Sequence, residues 1–312
     1  MRTAFIQELI RQARVNPKLF LIVGDLGFTV VEPFAKEFPD RFLNAGVAEQ
    51  NMTGVAAGLA SEGFQVFTYS IGNFPTLRCA EQIRNDVCYH NLPVTVTAVG
   101  GGLAYGNMGY SHHAVQDLAV MRTLPNMTIL SPADPGETVE CVQFLSSHRS
   151  PAYLRLGKAG EKSLHDVRGI TRGPLAIRAA DSSIALVATG SVLAIALRAA
   201  EELKQEHQLE SAVYSCPLLK PATADFFQSL WRHRHLITLE EHIAAGGFGE
   251  LLRQLKPDEV SLESFAVSET SASLVGSQDF LRQQSGLSVG ALVRACLAKN
   301  AAGQTLAGKE AL

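Results

Sequence analysis

Short apolar runs recur along the first half of the chain at 20–23, 66–69, 94–99, 127–130 and 153–156, separated by longer stretches with helical apolar spacing. Runs without polar alternation predict strands buried on both faces, and helical segments between them predict parallel crossovers. The second half repeats the alternation with runs at 184–188, 212–215, 236–239 and 265–267. Helical spacing there covers 192–204, and a last helix capped by Ser288 carries the stripe Val289, Leu292, Val293, Cys296 and Leu297. The expected fold is α/β, with two doubly wound parallel-sheet domains, the second smaller. The first is expected at 1–160 and the second at 181–300. A surface linker at 161–180 is signalled by the mixed charges, glycines and proline of 160–174, and a disordered tail is expected at 301–312, where periodicity stops.

Composition narrows the function classes. With 312 residues, 46% of them hydrophobic and 18% charged, the chain can bury two ordinary cores. A net charge of -3 and the lack of any long Lys/Arg run give no footprint for nucleic acid or an anionic membrane. No apolar run reaches the ~18 residues of a membrane span, and the first residues show no continuous signal core. The five cysteines are odd in number and form no C-x-x-C pair, which argues against a zinc site or a disulfide framework and for a reducing, cytoplasmic location.

Candidate chemistry concentrates in a few segments. Residues 41–52 run from a short apolar strand into a helix that opens with Glu49, which shares a face with Met52 and Ala56. An inward carboxylate costs several kcal/mol unless something donates to it or it holds a proton; the ordinary alternative is a solvated first-turn glutamate. Gly100, Gly101 and Gly102 follow a strand where open α/β sheets bind ligands. The adjacent His112 and His113 have no partner at metal-ligand spacing, so no metal site is assigned. Tyr69 and Phe74 are candidates either for ring stacking or for plain core packing. Arg78 suits a substrate contact or a helix-end ion pair, and Asp25, in a G-D-x-G turn, suits a turn former.

Taken together, Phe42-x-x-x-Gly46-Val47-x-Glu49-x-x-Met52, followed by Gly54, Ala56, Ala57 and Gly58, resembles the pyrimidine-binding domain of transketolases and 1-deoxyxylulose-phosphate synthases. The stretch Ser111-His112-His113 through Asp117-Leu118 and Arg122-x-x-Pro125-Asn126-Met127 is similar to another transketolase element. Thr189-Gly190-Ser191 and Glu240-Glu241-His242-x-x-x-Gly246-Gly247-Phe248-Gly249 match signatures of its C-terminal domain, in the same order. The resemblance implies a thiamine diphosphate enzyme that moves a two-carbon ketol unit from a ketose phosphate or sulfo-ketose to an aldose phosphate. It casts Glu49 as the cofactor-activating carboxylate and His112 as a proton carrier that also contacts the donor sugar. It places Tyr69, Phe74 and Asp25 at the cofactor, and Arg2, Arg78, Arg155 and Lys158 at the substrate. Three positions depart from the family: Lys158 replaces an arginine, Gly100 a histidine and Met108 an aspartate that reads donor stereochemistry.

The family's N-terminal domain carries a G-D-G…N motif for the metal and the diphosphate, and this sequence contains no G-D-G. The expectation is therefore a separate N-terminal subunit that holds Mg2+ (or Ca2+) in an α2β2 complex, with this chain active only beside it. Two alternatives stand: the beta subunit of a 2-oxoacid dehydrogenase first component, and a non-catalytic binding or regulatory subunit.

Overall fold

The computed structural model describes residues 1–310. Twelve strands form two sheets: β1 Leu19–Val23, β2 Phe42–Asn44, β3 Gln65–Ile71, β4 Val94–Val99, β5 Thr128–Leu130, β6 Ala152–Leu156, β7 Leu175–Arg178, β8 Ile184–Ala188, β9 Ala212–Ser215, β10 Leu218–Lys220, β11 His235–Ile243 and β12 Ser261–Val267. The larger sheet has the order β10-β5-β6-β4-β3-β1-β2 and the smaller β12-β11-β8-β9-β7. Both are parallel except at one edge, where β10 runs against β5 and β7 against β9.

Strand alternation sorts the first core. Leu21 and Val23 of β1, with Phe67 and Tyr69 of β3, face the helices Arg2–Val15 and Pro135–Ser147, where Phe5, Leu9 and Leu145 pack on them. Ile22 and Val66 point the other way, onto Met52 and Ala56 of the helix Glu49–Ser61. Each such side chain taken fully out of water contributes about 1.5–3 kcal/mol.

The two halves are not independent beads. Val96, Met121, Ile129 and Tyr153 of the first half form one apolar cluster with Val187, Tyr214, Phe227 and Phe248 of the second. Strand β10, from the second half, completes the edge of the first sheet.

Two expectations are corrected. The linker at 161–180 does lie largely at the surface, but it is tied down and ends in a strand: Asp134 accepts from the Leu164 amide (2.8 Å), Glu137 meets the His165 ring (2.9 Å) and Glu140 accepts from the Gly169 amide (3.0 Å). Its end forms β7. Two acids on the helix Pro135–Ser147 and its N-cap Asp134 strap it down, so backbone donors that a loose linker would give to water find partners here. The disordered tail at 301–312 is instead helix as far as Glu310 in the element Val289–Glu310; residues 311 and 312 lie outside the described residues. Alanines at 295, 298, 301 and 302 favour helix by intrinsic propensity, without an apolar stripe.

Candidate active site

The carboxyl ends of β1, β2 and β3 converge on Glu49. After β2, the Asn44 side chain accepts from the amides of Asp25 (3.0 Å) and Gly46 (3.0 Å) and donates to the Asp25 carboxylate (2.9 Å). Gly46 takes a left-handed φ of 72°, which turns the chain so that the helix Glu49–Ser61 starts with its first side chain directed at the sheet. Asp25 is thus part of the turn that aims Glu49, itself exposed and left-handed at φ 54°.

The Glu49 side chain is 1% exposed, and each carboxylate oxygen has its own donor. Ser70 Oγ donates to Oε1 at 3.2 Å, and Arg78 Nη1 donates to Oε2 at 2.7 Å. Gly24 allows this approach: a Cβ there would lie 3.3 Å from Ser70 Oγ and 3.5 Å from the Glu49 side chain. An open cleft of about 320 Å³ adjoins the carboxylate, lined by residues 47–51 and Arg78.

From Arg78 the cluster continues through aromatic contacts. Its guanidinium stands 4.7 Å from the centre of the half-buried Phe74 ring, which in turn meets the edge of His112 at 5.3 Å. Asn73 makes that meeting possible by donating to the carbonyls of Ser111 (3.3 Å) and His113 (2.9 Å), which clamps the turn after β3 to the histidine turn. His112 Nδ1 pairs with Ser111 Oγ at 3.0 Å. The structure therefore brings together Glu49, Arg78, Phe74 and His112. Ser70 and Asn73 complete the cluster without having been singled out in the sequence, where a serine and an asparagine among strand and turn residues carry no distinctive signal.

Tyr69 does not join them. Adjacent strand residues face opposite sides, so with Ser70 on Glu49 the Tyr69 ring is buried on the other face, stacked on Phe5 at 5.6 Å and packed beneath Gly27. Burial pushes its phenol well up from the usual range. Stacking on a ligand held by Glu49 is excluded, and Phe74 is the ring that lies on the correct side.

Arg155 is corrected as well. It is buried at the seam between the two halves, where its guanidinium donates to Asp117 (2.7 Å) and to the carbonyls of Ala114 and Glu241 (2.8 Å each). With 5% of its surface exposed and Nε and Nη2 engaged inside the protein, it is placed as a seam residue rather than a substrate contact. Tyr153 also donates to Asp117 (2.6 Å). Burial works to raise the Asp117 carboxyl, but Arg155 and His242 hold it below its ordinary value.

Arg2 and Lys158 lie apart from Glu49. Arg2 faces the Tyr69 and Tyr105 phenols on the opposite side of the sheet. Lys158 lines a cavity of about 400 Å³ at the seam, with Ser191, Gln278 and Arg282. Gly100, at φ 83°, has the Tyr105 ring in the place where a Cβ would stand, and Met108 is 58% exposed. Among the described residues no three His, Cys, Asp or Glu side chains are grouped to hold a metal ion.

The Glu240-Glu241-His242 segment is structural in its contacts. Glu240 accepts from the amides of Phe248 (2.6 Å) and Gly249 (2.8 Å), capping the helix Phe248–Leu255, and burial pushes its carboxyl up to about 7. Glu241 binds Arg282 (2.9 Å) and Gln278 (3.0 Å); burial works to raise it, but Arg282 holds it below its ordinary value. His242 donates from Nδ1 to the Ile243 carbonyl (2.7 Å) and accepts at Nε2 from the Ala119 amide (3.2 Å), and burial lowers its basicity. Gly246 presses on Ala119, leaving no room for a side chain, and its carbonyl accepts from Arg122.

Comparison with known proteins follows the same division. Residues 1–160 match the family model of the transketolase pyrimidine binding domain, and residues 173–272 match that of the transketolase C-terminal domain. An apulose-4-phosphate transketolase subunit of Actinobacillus succinogenes is 30% identical over 301 residues, covering 95% of this chain and 96% of that protein. The 1-deoxy-D-xylulose-5-phosphate synthase 1 of Geobacter sulfurreducens is 35% identical over 260 residues, 82% of this chain but 40% of that protein. A split-gene transketolase solved as an inactive beta4 tetramer superimposes with a TM-score of 0.84 at 32% identity, covering 94% of this chain and 96% of that one.

Proposed function

The chain belongs to the transketolase family, and from that premise we propose that it is the C-terminal, beta-type subunit of a split transketolase that uses thiamine diphosphate. The observation that carries the proposal is the buried Glu49 carboxylate at the floor of an open cleft, aligned through Arg78 and Phe74 with His112.

The residues present suit the aminopyrimidine half of that cofactor. Glu49 offers a fixed carboxylate to a ring nitrogen, and Phe74 offers an aromatic surface beside it. When bound, thiamine diphosphate supplies the nucleophilic carbon and the electron sink for cleaving a carbon–carbon bond. Glu49 would hold the ring and exchange a proton at its nitrogen. His112, whose Nδ1 is engaged by Ser111, keeps Nε2 for a proton at a substrate oxygen. Diphosphate and metal are a different matter: with no metal-binding cluster among the described residues, we assign them to a separate N-terminal subunit carrying G-D-G…N and Mg2+ or Ca2+, in a cytoplasmic α2β2 assembly.

The reaction proposed is two-carbon ketol transfer from a ketose phosphate, or its sulfonate analogue, to an aldose phosphate. The exposed Met108 and the Tyr105 ring against Gly100 support a donor pocket unlike that of the family pattern. Co-purification with the large subunit, followed by assay with ketose donors, tests this. Turnover is expected with the wild-type pair and a loss of at least about a hundredfold with Glu49→Ala. Undiminished turnover in that variant, or decarboxylation of pyruvate in place of ketol transfer, overturns the reading.

A further inference from the structure

The two oxygens of Glu49 stand in unlike surroundings. Oε1 faces inward to Ser70, a fully buried residue in the middle of the sheet, where β3 is paired on one side with β1 and on the other, at Ser70 itself, with Ala98 of β4. Gly24 closes the space behind that hydroxyl. Oε2 is bonded to Arg78, which lines the cleft, has a side chain 45% exposed and places its guanidinium over the Phe74 ring. One donor is locked in the sheet, and the other hangs from a solvated side chain at the mouth.

A buried carboxylate without donors is expensive, so an empty site needs both contacts. With Oε1 held by the buried Ser70, the oxygen that can be released to a ligand nitrogen from the cleft is Oε2, whose partner is the half-exposed Arg78. Arg78 can withdraw at modest cost once a ligand donor replaces it, because its side chain is already 45% exposed and the Phe74 face remains beneath it. Ser70 is tied in place differently: its backbone is fixed by the pairing of β3 with β4 at Ala98, and its side chain is fully buried.

We propose that Ser70 is the positioning residue that fixes Glu49 through Oε1, and that Arg78 is a displaceable counter-ion which gives up Oε2 to the cofactor's ring. The proposal rests on the thiamine diphosphate reading above and adds a division of labour between the two oxygens. Arg78 then guards the carboxylate in the empty site and leaves as the ring docks. Ser70 stays bonded throughout.

The test is equilibrium dialysis of thiamine diphosphate, with Mg2+, against the complex of this chain and its large subunit, alongside steady-state kinetics. Ser70→Ala is expected to weaken cofactor binding about tenfold while the KM for the sugar donor stays within about twofold. Ser70→Thr, which keeps the hydroxyl, should recover most of the affinity. Should either variant fail to fold, Ser70→Cys, similar in size with a weak donor, carries the comparison at matched thermal stability. Arg78→Gln is expected to tighten cofactor binding about threefold to tenfold, because the ring no longer competes with a cation. Unchanged binding in Ser70→Ala, or unchanged or weaker binding in Arg78→Gln, overturns the proposal. Glu49→Gln separates the two levels: if it leaves cofactor binding unchanged, the functional reading itself fails. If it weakens binding while Ser70→Ala does not, only the division of labour is wrong.

Discussion

Two regions of this molecule are dense in charge and glycine, and they are built on opposite terms. At the cleft, Glu49 is buried on one side and open on the other, with a half-exposed arginine as its outer partner. At the seam, Asp117, Arg155, Glu240 and His242 are buried all round, and each has its partners inside the protein. A buried charge with every lone pair engaged and no path to solvent can only hold elements together. One whose outer donor can leave retains the capacity to receive a ligand. The family signature in the second half carries no chemical assignment in the sequence, and its geometry is that of a clamp between two sheets.

The sharpest way to break this contrast is to cut the seam pair. Arg155→Met leaves Asp117 buried without its cation and should cost about 3–5 kcal/mol in urea denaturation of the full chain, read against a small effect from Glu49→Ala. Equal losses from the two substitutions would erase the distinction.

Next in size is the pH dependence of Glu240. Its carboxyl sits at about 7 when folded against an ordinary 4.5. Between these values the folded state holds more protons than the unfolded one, so stability should fall as pH rises through that window, by on the order of 3 kcal/mol for this group. Glu240→Gln is expected to flatten that stretch of the stability profile, sitting below wild type near pH 5 for loss of a cap and closing the gap near pH 8. A profile that keeps its slope would contradict the burial argument.

Smaller still is the strap on the linker. Burial works to lower the His165 imidazole, but its bond to Glu137 dominates and raises it above its ordinary value. Its contribution is therefore present below pH 6.5 and lost as pH climbs through the raised value. Hydrogen exchange at 164–170 should accelerate on the alkaline side, and His165→Gln should remove that dependence at a cost of about 1 kcal/mol or less. The smallest effect is predicted for Tyr69→Phe. Among the described residues the hydroxyl makes no well-formed hydrogen bond and only faces the Arg2 guanidinium, so stability and cofactor affinity should both stay close to wild type. A large loss of cofactor affinity would restore Tyr69 to the site.

Much of this was legible in residue order. All nine apolar runs became strands, because a doubly covered sheet leaves no polar positions to blur the signal. The inward aim of Glu49 followed from its spacing to Met52 and Ala56, which lie on the same helix face against the sheet. Tyr69 was misjudged because a run of seven strand residues buried almost throughout gives no hint of which face is which. Arg155 was misjudged because its partners, Asp117 and the Glu241 carbonyl, are 38 and 86 residues away. The linker's attachment to Asp134, Glu137 and Glu140 was hidden by the same kind of separation.

The sequence alone determined the α/β class, the strand and helix periods and the strand-to-helix step that opens with Glu49, since these depend on neighbours within a few residues. Tertiary structure alone decided that Ser70 rather than Tyr69 faces the carboxylate, that Arg78 reaches it, and that β10 crosses to the first sheet. Which side of a buried strand meets which helix is set by packing across the whole molecule, and a one-residue change of facing separates a site residue from a core residue.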